Sequence, residues 1–278
     1  MNGTISVPIC KELMSAPPDQ QEKARAILAR LSAEFREDCR DKMDECDTVL
    51  LRLADRPDNW REDMIPLQRL VHNVKGSAAT FGFPAVTLIA HKLEDYLEAL
   101  DSPAGHTRDI QVFLDIIRDI VAKGTNPPED EYPALLRSLP RVRSGFAPVA
   151  NAREVHVLLA MPKDVQRRIV QKELASCGFD VTCADSGVAA LGLALATRPD
   201  AVFASLVLPD MSGADLARAL AAIGTARKCP FGLLTTKAPD DPEFAGLPAW
   251  VIAKNERFME TLTERLIEWG LFGHIGAH

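Results

Sequence analysis

Hydrophobic positions in the first half of the chain recur at steps of three and four residues. Ala24, Ile27, Leu28, Leu31 and Phe35 open one stripe, and Met43, Cys46, Val49, Leu50 and Leu53 extend it. Leu67, Leu70, Val71, Val74, Ala78 and Phe81 make a second, while Val86, Ile89, Ala90, Leu93, Leu97 and Leu100 make a third. Ile110, Phe113, Leu114, Ile117, Ile120 and Val121 make a fourth. This period belongs to helices that bury one face. Gly82 ends the second helix, Pro84 suits the first turn of the third, and Ser102-Pro103-Ala104-Gly105 breaks the third from the fourth. A shorter helix over residues 131–139 follows. Long amphipathic helices on short connections predict an all-α antiparallel bundle over 20–140, behind an N-terminal tail of 1–19.

Beyond Pro140 the pattern changes. "PRVRSGFAPVANAR" holds two prolines, a glycine and no periodic face, and residues 141–153 are read as a linker. Short apolar runs then appear at Val155–Ala160, Val181–Ala184, Ala201–Leu206, Phe231–Leu234 and Trp250–Ile252, separated by helical stretches. Strands alternating with helices predict a second, α/β domain over 154–272, a doubly wound, flavodoxin-like parallel sheet of five strands. Residues 273–278 are left as a tail.

Composition narrows the classes. No apolar run approaches the ~20 residues that span a bilayer, and the N-terminus lacks a signal-peptide pattern, so a cytoplasmic protein without membrane partners is expected. Residues 1–143 carry 19 basic against 24 acidic side chains and the remainder 13 against 15, so neither half is basic and nucleic acid is not the expected partner. Six cysteines (10, 39, 46, 177, 183, 229) form no CxxC or Cys/His cluster and read as small buried apolar residues.

One helix face is chemically unusual. In "LQRLVHNVKGSAATFGF", His72 shares a face with Lys75, Gly76 and Ala79, beside the core stripe. On the next helix His91 stands three residues before Glu94. His72 lies eleven residues before Phe83 and Glu94 eleven after it; Lys75 lies eight before and His91 eight after. A tight turn there would bring the outer pair to about 16 Å and the inner pair to about 12 Å from it, so the four would reach adjacent levels. A carboxylate bonded to one imidazole nitrogen fixes the tautomer and raises the basicity of the other. Glu94 is placed to do this for His72. Lys75 and His91 could then stabilise negative charge on a transferred group, with phosphoryl the obvious candidate. Gly76 and Ala79 keep the surface flat for a partner's active site.

"HNVKGSAATFGFPAVTLIAHKLEDYLEAL" resembles the histidine phosphotransfer (HPt) domain and, within that class, the phosphotransfer domain of the chemotaxis kinase CheA. The resemblance covers about 20–140 and rests on His72, Lys75, Gly76, Ser77, Ala78, Phe81, Gly82, Phe83, His91, Leu93, Glu94 and Asp95. It implies that His72 is the phosphoacceptor and that Lys75, His91 and Glu94 support it. Asn73 and Val74 depart from the usual Thr-Leu. The chain contains no GxxxxGK[ST], glycine-rich lid or kinase-like asparagine motif, so it is expected to take phosphoryl from another protein.

The second half resembles a response-regulator receiver over about 154–270. A receiver needs an acidic pair after its first strand and an aspartate at the end of its third, which together hold magnesium and accept phosphoryl. Here Met161 and Pro162 align with the acidic pair and Ser205 with the phosphoacceptor. Thr235 and Lys254 match the family's hydroxyl and lysine, whereas Asn255 replaces the usual proline, and the segment between them is a few residues short, which would trim the fourth helix. Asp164 and Asp210 are offset from the metal positions. The domain reads as a pseudo-receiver.

The expected function is a bacterial two-component phosphorelay carrier, a phosphoprotein that accepts phosphoryl on His72 from a kinase or phospho-receiver and passes it to a receiver aspartate. The pseudo-receiver would serve docking, dimerisation or regulation. The alternative is a non-catalytic adaptor or inhibitor of a histidine kinase or response regulator. Histidine kinases and receiver domains are the expected partners, and a homodimer is left open. No cofactor is expected in this chain, with magnesium only in the partner receiver.

Overall fold

The computed structural model describes residues 18–55, 60–100, 102, 105–142, 155–223 and 229–271. Residues 1–17 of the expected N-terminal tail, residues 143–153 of the linker and the C-terminal tail lie outside them, as does the side chain of Ala24. The chain divides into two compact units, Met1–Leu93 with Pro103–Pro127, and Glu94–Ser102 with Pro128–His278. This division follows packing and cuts the chain elsewhere than the pattern-based boundary near 140.

The first unit is helical. α1 (Pro18–Asp55) packs against α2 (Trp60–Ala78) and α4 (Thr107–Lys123). Between them in sequence lies α3 (Pro84–Ala99), whose last residues belong to the second unit. α1 and α2 run antiparallel: Arg52 pairs with Asp63 at 2.9 Å near their connection, while at the far end Phe35 stacks on Phe81 and packs tilted against Phe83, each at 5.4 Å. Cys39, Met43, Cys46, Leu67, Val74, Ile89, Leu93, Phe113 and Ile117 fill the core. Burial pushes the Cys39 and Cys46 thiols up to about 12, so both behave as apolar residues.

The expected stripe fails in two places. Ile27 and Leu28 are 53% and 50% exposed. α1 has 38 residues and α2 has 19, and the end of α2 meets α1 at Phe35. Residues before Phe35 therefore run past the partner that would have covered them. Cys177, expected to be buried, is exposed because it caps the helix Val165–Ser176, where the chain leaves the helix.

The turn after α2 follows from Gly82, whose φ of 92° is in the left-handed region that favours glycine. The Phe83 amide donates to the Ala78 carbonyl at 2.8 Å and the Gly82 amide to Ala79 at 3.2 Å. This is a Schellman cap, and it carries the helical path through Ala79 and Thr80 to Phe81. Pro84 opens α3, with the amides of Val86 and Thr87 donating back to the Phe83 carbonyl.

In the second unit a 3-10 turn (Glu129–Glu131) and α5 (Tyr132–Arg137) precede a five-stranded parallel sheet. Its strands are β1 (His156–Ala160), β2 (Asp180–Ala184), β3 (Ala201–Ser205), β4 (Phe231–Thr235) and β5 (Trp250–Ala253), in the order β2-β1-β3-β4-β5. α6 (Val165–Ser176), α7 (Gly187–Thr197), α8 (Gly213–Ala222) and α9 (Phe258–Glu268) connect and follow them. Val157, Leu159, Phe203, Leu234 and Ile252 pack with Val170 and Leu174 of α6 and Leu262 and Leu266 of α9. α7 packs on β1 and β2, and α8 on β4. Between β4 and β5 only a 3-10 turn (Pro242–Phe244) forms, in a segment that also contains Pro239 and Pro248. The trimmed fourth helix expected there is reduced to that turn.

Replacing Phe35 by Ala should cost about 3–5 kcal/mol, whereas Leu28→Ala should cost under about 1 kcal/mol. Chemical denaturation followed by helical circular dichroism checks the contrast, and equal losses would place the core elsewhere.

Candidate functional site

His72 and Lys75 stand one turn apart on α2, and His91 and Glu94 one turn apart on α3. His72, Gly76 and Ala79 are exposed, while Lys75, His91 and Glu94 are half-buried. None of His72, Lys75, His91 and Glu94 is without an interaction. Within the first unit the Thr87 hydroxyl donates to the Lys75 carbonyl at 3.4 Å, tying the start of α3 to the site turn of α2. Ser77 donates back to the Asn73 carbonyl at 2.8 Å, so its hydroxyl is spent on the helix. A methyl group added at Gly76 would meet none of the described residues within 4 Å, so their packing does not require glycine there.

Asn126 was not visible as a site residue in the sequence. Its side chain donates to the Gly82 carbonyl at 2.5 Å and accepts from the Ala85 amide at 3.2 Å, clamping the turn between α2 and α3. It lies in a loop more than forty residues away, where no periodic pattern points to it.

At the carboxyl edge of the parallel sheet, Ser205, Thr235 and Lys254 come together. This is the edge at which open α/β sheets bind ligands. Ser205 ends β3 and is 8% exposed; Thr235 ends the neighbouring β4 and is 3% exposed. The Lys254 ammonium is 3.4 Å from the Ser205 hydroxyl and 3.5 Å from the Gln166 side-chain carbonyl. Its amide donates to the Thr235 carbonyl at 2.6 Å. Gly213 is required here, because a Cβ on it would come 2.3 Å from the Ser205 carbonyl oxygen. Burial lowers the Lys254 pKa, and the charge of Asp164 only partly opposes this.

The donor set does not fit a magnesium ion. Met161 is buried with its amide on the Ala184 carbonyl at 2.9 Å, and Pro162 offers no side-chain donor. The two nearby acids are engaged elsewhere. Asp164 caps α6 by accepting from the Arg167 amide at 2.8 Å. Asp210 accepts from the Gly187 and Val188 amides at 2.7 and 2.8 Å, and these bonds hold its carboxyl below the usual range. Among the described residues no group of three or more His, Cys, Asp or Glu could hold a metal ion.

Residues 30–123 match the family model of the Hpt domain, a span that contains His72, Lys75, His91 and Glu94. In the same chain an Hpt-domain match thus precedes a five-stranded parallel sheet of order β2-β1-β3-β4-β5. The chain is 34% identical over 100 residues to the "Probable transcriptional regulatory protein TcrX" of Mycobacterium tuberculosis (strain ATCC 25618 / H37Rv), covering 36% of this chain and 42% of that protein. The match thus spans less than half of that relative. Among solved structures, the receiver domain of the sensor histidine kinase PA1611 from Pseudomonas aeruginosa PAO1 is 26% identical, with a TM-score of 0.38, over 42% of this chain and 98% of that one. The chemotaxis response regulator CheY4 of Vibrio cholerae is 24% identical, with a TM-score of 0.38, over 42% and 99%. Among the described residues no helix is long and apolar enough to cross a membrane.

Lys254 yields a test with a definite sign. The unfolded lysine titrates near 10.5 and the folded one lower, so the unfolded state binds more protons between the two values. This group therefore makes stability rise as pH climbs through that window. Lys254→Met should remove the rise and be more stable than wild type at neutral pH, as read by chemical denaturation at neutral and alkaline pH. A less stable Met variant would mean that the ammonium is net favourable where it stands.

Proposed function

We propose that the protein is a phosphoryl carrier of a two-component relay and that His72 is its phosphoacceptor. An unprotonated imidazole nitrogen of His72 attacks the phosphorus of a partner's phosphohistidine or aspartyl phosphate. The N–P or O–P bond on the donor breaks, and the imidazole or carboxylate leaves. The second step reverses this onto a receiver aspartate. Glu94 holds the proton on the other ring nitrogen and keeps the first one nucleophilic. Lys75 and His91 offset the charge on the phosphoryl oxygens. The match of residues 30–123 to the Hpt domain, with an exposed His72 inside it, carries this reading.

Gly76 adds to it. Glycine inside a helix costs about 1 kcal/mol relative to alanine, and no described residue packs closely enough to need one there. A partner's active site that must come close to His72 supplies the reason. The receiver-like unit takes no part in the chemistry, because the acids that would hold magnesium and accept phosphoryl are Met161, Pro162 and Ser205. Magnesium enters only with the partner receiver. Histidine kinases and receivers are the partners on this reading, and the cytoplasm is its setting.

Mixing the protein with a radiolabelled phospho-receiver should yield an acid-labile, base-stable label that a second receiver removes, and His72→Gln should take up none. If wild type stays unlabelled while still binding those partners, the protein is an adaptor. A label that persists in His72→Gln moves the acceptor to another residue.

A further inference from the structure

The second compact unit contains one segment from outside the sheet's own stretch of chain, Glu94–Ser102, which includes the last residues of α3. Three groups hold it. The Asp95 carboxylate, 7% exposed, accepts from the Cys183 amide at 2.9 Å. The Gln171 side chain donates to the Asp95 carbonyl at 3.4 Å. Glu98 pairs with Arg167 at 3.0 Å and also with Lys163.

Each bond has a physical motive. β2 is an edge strand, so amides on its open side need an acceptor or must face water. Asp95 supplies a charged acceptor in the middle of that edge. Arg167 is 4% exposed, and a guanidinium cannot shed its charge when buried. Glu98 is the carboxylate that neutralises it. Among the described residues the Arg167 Nε has no hydrogen-bond partner, so the pair with Glu98 is the main compensation for its burial.

We propose that the open edge of β2 and the face of α6 bearing Lys163, Arg167 and Gln171 form a receptor for an acidic helical segment, filled in this chain by Glu94–Ser102. On a receiver fold without the acids for phosphoryl chemistry, this grip is a function the unit retains. It commits the β2 edge to this chain, so a second copy cannot add a strand there. The proposal is independent of whether His72 carries phosphoryl.

Residue-resolved amide hydrogen exchange on the full-length protein tests it. The Cys183 amide should exchange slowly in wild type and at least about tenfold faster in Asp95→Ala, the loss expected for a hydrogen bond to a charged acceptor. Protection across β1 and β3 should stay unchanged. A Cys183 amide that remains protected in Asp95→Ala overturns the proposal. If Asp95→Ala loses protection throughout the sheet, Lys163→Glu decides, since Lys163 is exposed and its replacement does not endanger folding. Faster exchange confined to Glu94–Leu100 and Cys183 in that variant supports the receptor, and unchanged exchange overturns it.

Discussion

The left-handed residue at Gly82 is the constraint on which the helical unit depends. A φ of 92° there lets the Phe83 amide reach back to the Ala78 carbonyl, which closes α2 and releases the chain into Pro84 and α3. Phe81 and Phe83, on either side of the glycine, are thereby delivered to Phe35 of α1. Asn126 locks the same turn from a distant loop. The positions of Lys75 and His91, eight residues before and after Phe83, follow from where this turn falls. A side chain at Gly82 would strain the turn and the aromatic cluster together.

A different constraint governs the sheet. Its carboxyl edge retains the shape of a site, with Ser205, Thr235 and Lys254 at adjacent strand ends, but lacks the carboxylates that would give that shape its chemistry. Asp164 and Asp210 do not replace them: Asp164 spends one oxygen on a first-turn amide of α6, and Asp210 spends both on the first two amides of α7. Lys254 is left half-desolvated between two neutral acceptors at long range. The unit keeps its fold because the apolar packing of Val157, Leu159, Phe203, Leu234 and Ile252 against α6 and α9 does not involve Asp164, Asp210 or Lys254.

Much of this was legible in the chain. Glycine and proline announce their backbone geometry, so the ends of α2 and α3 could be read at Gly82 and Pro84. The strands stood out because a parallel strand buried on both faces is a short continuous apolar run. Ile27 and Leu28 lie exposed on an apolar stripe: periodicity reports which face is apolar and says nothing of how long the covering partner is. Cys177 is exposed because burial depends on position along a helix as much as on residue type. The duties of Asp164, Asp210 and Asn126 could not be read at all, since an acid beside a strand end looks the same whether it caps a helix or binds a metal. The segment at Asp95 and Glu98 carried an ordinary charged pattern, and only the fold pairs it with Cys183 and Arg167.

On the proposed function, the chain has one live phosphoryl site, and it lies on His72. Phosphorus NMR of the full-length protein, charged by a phosphorylated partner and then separated from it, tests this most directly. A single phosphoramidate resonance is expected, absent from His72→Gln, with no acyl-phosphate signal. An acyl-phosphate resonance, or a phosphoramidate that survives in His72→Gln, would contradict the proposed function.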